Sequence, residues 1–212
     1  LSTLAATGRL NVGGRNPDAI VYDAVTHRVF TMNAGSGTAT AIDATNGTVL
    51  GMVTLGGRPE FAVADGRGRI FVNIEDSSAV TSFDARTLQV GARWSILPCE
   101  GPSGLAMDRA HRRLFSVCNG TMAISDADAG RVVATVPIGT GVDGVMFDPG
   151  TLTAFSSNGG DSSVTAVHED APDRYSVIQT IPTRRGARTI AIDERNHRLY
   201  LPTAEFGPPP PP

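Results

Sequence analysis

The stretch that decides the fold is Gly57-Arg58-Pro59-Glu60-Phe61-Ala62-Val63-Ala64-Asp65, which continues through Gly66-Arg67-Gly68 into Arg69-Ile70-Phe71-Val72-Asn73. Two short runs rich in β-branched and aromatic residues are bounded by glycine, aspartate and asparagine. This pattern is typical of two strands joined by a tight turn. The unit therefore serves as a template for comparison with the rest of the chain.

The strand–turn–strand unit occurs four more times. Each copy ends its first run on an aspartate, and these aspartates are spaced by about 40 to 45 residues, the period of a propeller blade. Further strand-like runs follow each full unit, for example residues 38–43 and 48–55. Four strands in one period predict an all-β fold, a β-propeller of four-stranded antiparallel blades with about five blades' worth of chain. The five aspartates are Asp23, Asp65, Asp108, Asp148 and Asp193. The repeat also predicts that the first strands are the inner strands, and that equivalent aromatic residues of the second strands pack between adjacent blades. These aromatic residues are Phe30, Phe71, Phe115, Phe155 and Tyr200.

The repeat also predicts the domain boundaries. Residues 1–206 form the propeller, with blade repeats starting near residues 14, 57, 101, 141 and 186, and residues 207–212 form a proline-rich tail. Residues 4–12 match the outer strand of a blade, so they either complete the last blade and close a five-bladed ring or belong to a larger propeller. Because open sheet edges invite pairing with other chains, unclosed blades would favour self-association.

The amino-acid composition and net charge of the chain indicate which classes of partner it can bind. The 212 residues are 41% hydrophobic and 18% charged, which is ordinary for a soluble globular protein. A net charge of −3 without a stripe of basic residues argues against nucleic acid and anionic membranes as partners. No apolar run is long enough for a membrane span. We therefore expect neither a nucleic-acid partner nor a membrane span.

The residues at the ends of the second strands resemble those of a known family of β-propellers. Phe30-Thr31-Met32-Asn33, Phe71-Val72-Asn73 and Phe155-Ser156-Ser157-Asn158, together with Asp-Ala-x-x-Gly after third strands, make the chain similar to the YncE-like, YVTN-repeat family of bacterial β-propellers. The resemblance covers nearly all of the chain. It implies an exported, usually seven-bladed propeller of which this chain is a fragment or truncated member. A periplasmic or secreted location is the corresponding expectation.

Signatures of catalysis are weak. His27, His111 and His197 are predicted to share one position in the turn between the first two strands, each directly before an arginine, so they cannot converge on one site. The Gly-x-Gly-x-x-Gly pattern of residues 139–144 leads into a strand, whereas a dinucleotide site requires a helix. A Gly-x-Ser-x-Gly elbow is missing from the sequence. These observations disfavour a histidine metal site, a Ser/His/Asp triad and a dinucleotide site.

One face of the propeller carries the main site candidates. Loops that enter first strands and loops that leave second strands open on the same face, which we call the channel face. Carboxylate and asparagine oxygens there are hard ligands suited to Ca²⁺ or Mg²⁺, as in metal-dependent lactonase and organophosphatase propellers. The competing explanation is that aspartate and asparagine cap turns. The six metal candidates are Asp18, Glu60, Asn73, Asn119, Asp143 and Asn158.

Cys99 and Cys118 form the disulfide candidate. They flank antiparallel neighbouring strands of the third blade, although simple register counting leaves them a few residues out of line. Export would favour the bridge.

The predicted function is a binding or scaffold module that presents its channel face to a ligand or protein partner, because no catalytic signature stands out. The alternative is a calcium-type hydrolase of lactones or phosphoesters that acts at the ring of Asp, Glu and Asn residues.

Overall fold

A computed structural model describes residues 5, 6, 8–204 and 207. Its strands follow the predicted repeat closely. The elements are β1 (Pro17–Asp23), β2 (Arg28–Asn33), β3 (Thr38–Asp43), β4 (Val49–Thr54), β5 (Pro59–Ala64), β6 (Arg69–Ile74), a 3₁₀ turn (Glu75–Ser77), β7 (Ala79–Asp84), β8 (Val90–Ser95), β9 (Leu105–Asp108), β10 (Arg113–Cys118), β11 (Thr121–Asp126), β12 (Arg131–Pro137), β13 (Val142–Asp148), β14 (Thr153–Asn158), β15 (Ser163–Ala171), β16 (Arg174–Pro182), β17 (Ala191–Asp193) and β18 (Arg198–Tyr200).

The strands assemble into blades in chain order. β1–β4, β5–β8, β9–β12 and β13–β16 each form a four-stranded antiparallel sheet, and β17 pairs with β18 in a two-stranded sheet. We number these sheets blades one to five. The predicted β-propeller with about five blades of chain is therefore confirmed, with two strands described in blade five.

The two ends of the chain are only partly described. Leu4 and Thr7 lie outside the described residues, and the described residues between 5 and 12 form no strand. Closure of a five-bladed ring through residues 4–12 stays a prediction. Residues 208–212 of the proline-rich tail also lie outside the described residues. Among the helical segments that are described, none is long and apolar enough to cross a membrane.

A recurring turn joins the first and second strands. In blades one, three, four and five, the aspartate that ends the first strand pairs with the first residue of the second strand across four intervening residues. The aspartate side chain accepts hydrogen bonds from the turn, as Asp108 Oδ1 does from the Ala110 amide at 2.8 Å. The last turn residue is left-handed in each case. These residues are His27 (φ 54°), Arg112 (φ 60°), Leu152 (φ 51°) and His197 (φ 54°).

The cores lie between the blades. Phe30, Phe71 and Phe115 on equivalent second strands are fully buried, and Phe115 stacks on Phe147 of the next blade with ring centroids 5.1 Å apart. The predicted packing of second-strand aromatics between blades is confirmed for these three. It does not extend to Tyr200, which is 54% exposed, because the described blade five has only two strands.

First strands surround the propeller axis. A cavity of about 260 Å³ is lined by residues from the inner edge of every blade, including Ile20, Val63, Leu105, Val145 and Ile192. The predicted assignment of first strands as the inner strands is therefore confirmed. The loops before these strands form the rim of the channel face.

Candidate functional site

Asn73 ties two blades together on the channel face. Its Nδ2 donates to the carbonyl oxygens of Ser103 at 3.0 Å and Gly104 at 2.9 Å, and its Oδ1 accepts from the Ser116 hydroxyl at 2.9 Å. The side chain is fully buried. The two amide hydrogens and one Oδ1 lone pair of Asn73 therefore form hydrogen bonds that link β6 of blade two to blade three.

Asn158 has a comparable role within blade four. Its Nδ2 donates to the hydroxyls of Ser163 at 3.1 Å and Thr165 at 2.9 Å, and its Oδ1 accepts from the Ser156 hydroxyl at 3.1 Å. Between blades three and four, Asn119 Oδ1 accepts a hydrogen bond from the Gly141 amide at 2.8 Å. The asparagines among the six metal candidates thus satisfy buried or inter-blade hydrogen bonds, as turn and strand-end residues commonly do.

The carboxylates among the six candidates lie at two points of the rim, with Asp18 beside Glu60 and Asp143 apart from them. Asp143 Oδ2 is 3.4 Å from Arg188 Nε, whereas Asp18 is exposed beside Glu60. In the part of the chain that the structure describes, Asp18, Glu60 and Asp143 belong to no group of three His, Cys, Asp or Glu side chains close enough to share an ion. The structure does not bring the six candidates together, and calcium binding stays a prediction.

Glu60 lies instead in a cluster of charges, which we call the Glu60 cluster: Asp18, Arg58, Glu60 and Glu75. Arg58 Nε is 3.4 Å from Glu60 Oε1 and 2.9 Å from Glu75 Oε2. The Glu60 side chain is only 13% exposed. Burial, together with the charges of Asp18 and Glu75, raises the pKa of Glu60 to about 7 although Arg58 opposes the shift.

Strand pairing explains how the Glu60 cluster forms. Pro59 pairs with Ile74, and a bulge follows between Pro59 and Ala62. The Glu75 amide then donates to the Arg58 carbonyl at 2.9 Å. This pairing places the residue before β5 and the residue after β6 side by side. The position of Glu75 directly after a second strand predicts its place on the channel face, although it was not among the six metal candidates.

The opposite face, which we call the turn face, holds a cluster that sequence reasoning missed. His111 Nδ1 lies 2.7 Å from Asp108 Oδ2 and 3.3 Å from Glu169 Oε2. Asp108 and Glu169 are buried, whereas the His111 side chain is 49% exposed. The hydrogen bond to Asp108 and the charge of Glu169 raise the pKa of His111.

The structure corrects the predicted equivalence of the three turn histidines. β10 begins at Arg113, so Arg112 occupies the left-handed position of His27 and His197. His111 lies one residue earlier. It therefore faces the aspartate of its own blade, whereas His197 Nδ1 reaches Asp148 of the preceding blade at 2.7 Å.

Cys99 and Cys118 are joined as a disulfide with Cα atoms 5.5 Å apart, within the range of about 4.4 to 6.8 Å found for bridged cysteines. The Cys99 amide donates to the Ile96 carbonyl at 3.0 Å, so a turn before β9 brings the sulfur back beside β10. This turn removes the register mismatch expected from simple counting. The oxidation state of the purified protein stays a prediction.

No protein-family model and no curated protein matches the chain. A chain in the crystal structure of the mitotic checkpoint complex is similar, with a TM-score of 0.75 and 13% identity over 88% of this chain and 58% of that chain. A chain of Kuenenia stuttgartiensis hydrazine synthase has a TM-score of 0.75 and 18% identity, with 89% and 55% covered. This chain thus spans little more than half the length of each neighbour. The likeness shows a propeller-type fold, and the YncE-like resemblance stays a prediction.

Proposed function

We propose that this chain is a binding module whose channel face receives a protein partner at the Glu60 cluster. The observation that carries the proposal is the burial of Glu60 beside Glu75 and Asp18, with Arg58 as the cation that contacts Glu60. Three carboxylates facing one guanidinium leave an excess of negative charge. A propeller-type chain also occurs in the mitotic checkpoint complex, which supports a role in protein assembly.

The chemistry of the Glu60 cluster specifies the partner group. A lysine or arginine side chain from the partner would supply the missing positive charge, and arginine would also donate two parallel hydrogen bonds to one carboxylate. Asp18 is exposed and the Glu75 side chain is 35% exposed, so the cluster is open to an incoming side chain. Such a cation would lower the pKa of Glu60 and release its proton on binding.

The hydrolase alternative lacks comparable support. The asparagine side chains of the proposed ring hold strands together, and Asp143 lies apart from Asp18 and Glu60. Neither of the two similar structures is described as a hydrolase. Calcium-dependent melting of the purified protein, compared with the Glu60→Gln and Asn158→Ala variants, would still test the calcium prediction directly.

The proposed function is tested with a short arginine-containing peptide and its citrulline counterpart, which keeps the shape and removes the charge. We expect the arginine peptide to bind at least about tenfold more tightly, a difference of about 1.4 kcal/mol. Glu60→Gln should abolish the difference, whereas Glu100→Gln, at an exposed carboxylate before blade three, should preserve it. Calorimetry in two buffers of different ionisation enthalpy should report proton release near pH 7. Equal binding of both peptides, or no binding at millimolar concentration, contradicts the proposal.

A further inference from the structure

On the turn face, two of the seams between neighbouring blades carry the same contact. The aspartate at the end of the first strand of one blade accepts a hydrogen bond from the side chain of the last turn residue of the next blade. Arg112 Nη1 lies 3.1 Å from Asp65 Oδ2 between blades two and three, and His197 Nδ1 lies 2.7 Å from Asp148 Oδ2 between blades four and five. Between blades one and two the equivalent turn residue is Gly68, which has no side chain, and Asp23 Oδ1 is buried without a hydrogen-bond partner.

The seam between blades three and four departs from this arrangement. Leu152 occupies the position of Arg112 and His197, so the next blade offers Asp108 no side-chain N–H from that position. The backbone amide of Glu169 donates a hydrogen bond to the Leu152 carbonyl at 3.0 Å. In blades two and three the residues that make the equivalent amide contact are Ala85 and Ala127. This seam lacks the side-chain donor of Arg112 or His197 and carries an additional carboxylate.

One oxygen of this additional carboxylate is buried without a hydrogen bond. The Glu169 side chain is 4% exposed, and its Oε2 has no hydrogen-bond partner. The nearest nitrogen, His111 Nδ1 at 3.3 Å, carries at most one hydrogen and lies closer to Asp108 Oδ2, at 2.7 Å. A buried carboxylate oxygen without a donor is costly and requires a compensating partner.

Nearby cations do not supply that partner. Arg113 Nε lies 2.7 Å from Asp173 Oδ1 and its Nη1 lies 3.2 Å from Asp126 Oδ2, so these two nitrogens are directed at other carboxylates. The Tyr175 hydroxyl, on the residue paired with Glu169 across β15 and β16, is buried without a hydrogen-bond partner as well. Two buried carboxylates therefore face one imidazole.

We propose that Asp108, His111 and Glu169 bind a divalent transition-metal ion of the zinc type between blades three and four. One ligand atom from each residue lies within 4.8 Å of the other two, so a single ion can reach all three at the usual distances of about 2.0 to 2.2 Å. Imidazole with carboxylates favours zinc or a similar ion over calcium, which prefers oxygen ligands alone. The half-exposed His111 side chain leaves a path from solvent and room for a fourth ligand from water. The ion takes the place of the side-chain donor that Arg112 and His197 provide at their own seams.

The experiment measures Zn²⁺ binding to metal-free protein by calorimetry, and Co²⁺ binding by its visible absorption spectrum. We expect one ion per chain, together with an increase in melting temperature when Zn²⁺ is added. Glu169→Ala and His111→Thr should weaken binding by more than the 10- to 100-fold that loss of an outer-shell partner typically costs.

Both variants introduce residues that the repeat already uses. Alanine stands at the equivalent of position 169 in blades two and three, and Thr26 and Thr151 stand at the equivalent of His111, where each hydroxyl donates to the aspartate of its own blade. Both variants should therefore fold, which circular dichroism checks. His27→Asn at an exposed turn residue is the control, because asparagine tolerates the left-handed backbone of His27, and this variant should bind zinc like the parent protein. Absence of saturable binding at about 1 mM Zn²⁺, or equal affinity in all three variants, overturns the proposal.

Discussion

Replacing Glu60 by glutamine should reduce the pH dependence of the free energy of unfolding. Burial, followed by the charges of Asp18 and Glu75, raises the pKa of Glu60 from 4.5 to about 7 in the folded protein. Between these two pH values the folded protein holds a proton that the unfolded chain has released, so stability falls as pH rises. The stabilising contribution of the protonated carboxyl is complete below pH 4.5 and is lost as pH rises through about 7.

The size of the effect follows from the pKa difference. A tenfold change in proton affinity corresponds to 1.36 kcal/mol, so a pKa raised from 4.5 to about 7 gives about 3.4 kcal/mol as an upper limit. Water reaches the partly open cluster and screens the charges, which reduces the expected value to about 1 to 2 kcal/mol. Glutamine retains the shape of the protonated carboxyl and carries no charge at any pH. The variant should therefore be more stable than the parent protein by this amount at about pH 8 and equal to it at about pH 4.5.

Urea unfolding at several pH values checks this expectation. The difference in free energy of unfolding between variant and parent isolates Glu60 from other titrating groups such as Glu169, whose pKa burial also raises. Glu100→Gln supplies the control, because Glu100 is exposed. Parallel pH profiles for the Glu60→Gln variant and the parent protein would refute the electrostatic account of the Glu60 cluster, and with it the reason for expecting a cationic partner.

Three further predictions concern packing, redox state and assembly. Phe71→Ala should lower the free energy of unfolding by about 3 to 5 kcal/mol because Phe71 is fully buried between blades. Urea unfolding should show a smaller loss for Phe155→Ala, because the Phe155 ring is only half-buried. A thiol-blocking reagent should modify neither Cys99 nor Cys118 in non-reduced protein, and a mass showing two modified thiols would contradict the bridge. If open blade edges self-associate, Tyr200→Glu should lower the mass measured by light scattering at high concentration; a monomer mass for the parent protein at every concentration would argue against association.

The fold could be predicted from the sequence because each blade repeats the same local chemistry. An aspartate ends the first strand and caps the turn, and an aromatic residue two or three positions into the second strand fills the space between blades. Both features depend on residues close together in the chain. Phe30, Phe71 and Phe115 therefore proved to be core residues as expected.

The candidate sites were harder to predict because they depend on contacts between blades. Asn73 resembles a channel-face ligand in the sequence, but its partners Ser103 and Gly104 belong to the next blade and are about 30 residues away in sequence. The turn histidines were aligned on the arginine that follows each of them. Because two arginines follow His111, counting from Asp108 instead would have shown Arg112 to be the equivalent of His27.

Both proposed sites follow from one property of a repeat fold, namely that equivalent positions of neighbouring blades face each other across a seam. The residue five positions before each capping aspartate is Asp143 in blade four and Arg188 in blade five, and these opposite charges pair at 3.4 Å. The same position holds Asp18 in blade one and Glu60 in blade two, whose like charges raise the pKa of Glu60. On the turn face, Arg112 and His197 contact the capping aspartates at two seams, whereas at the seam between blades three and four Asp108 and Glu169 share the imidazole of His111. Where the repeat brings several carboxylates together, they outnumber the cations at the seam, and a partner side chain or a metal ion is the group that can supply the missing positive charge.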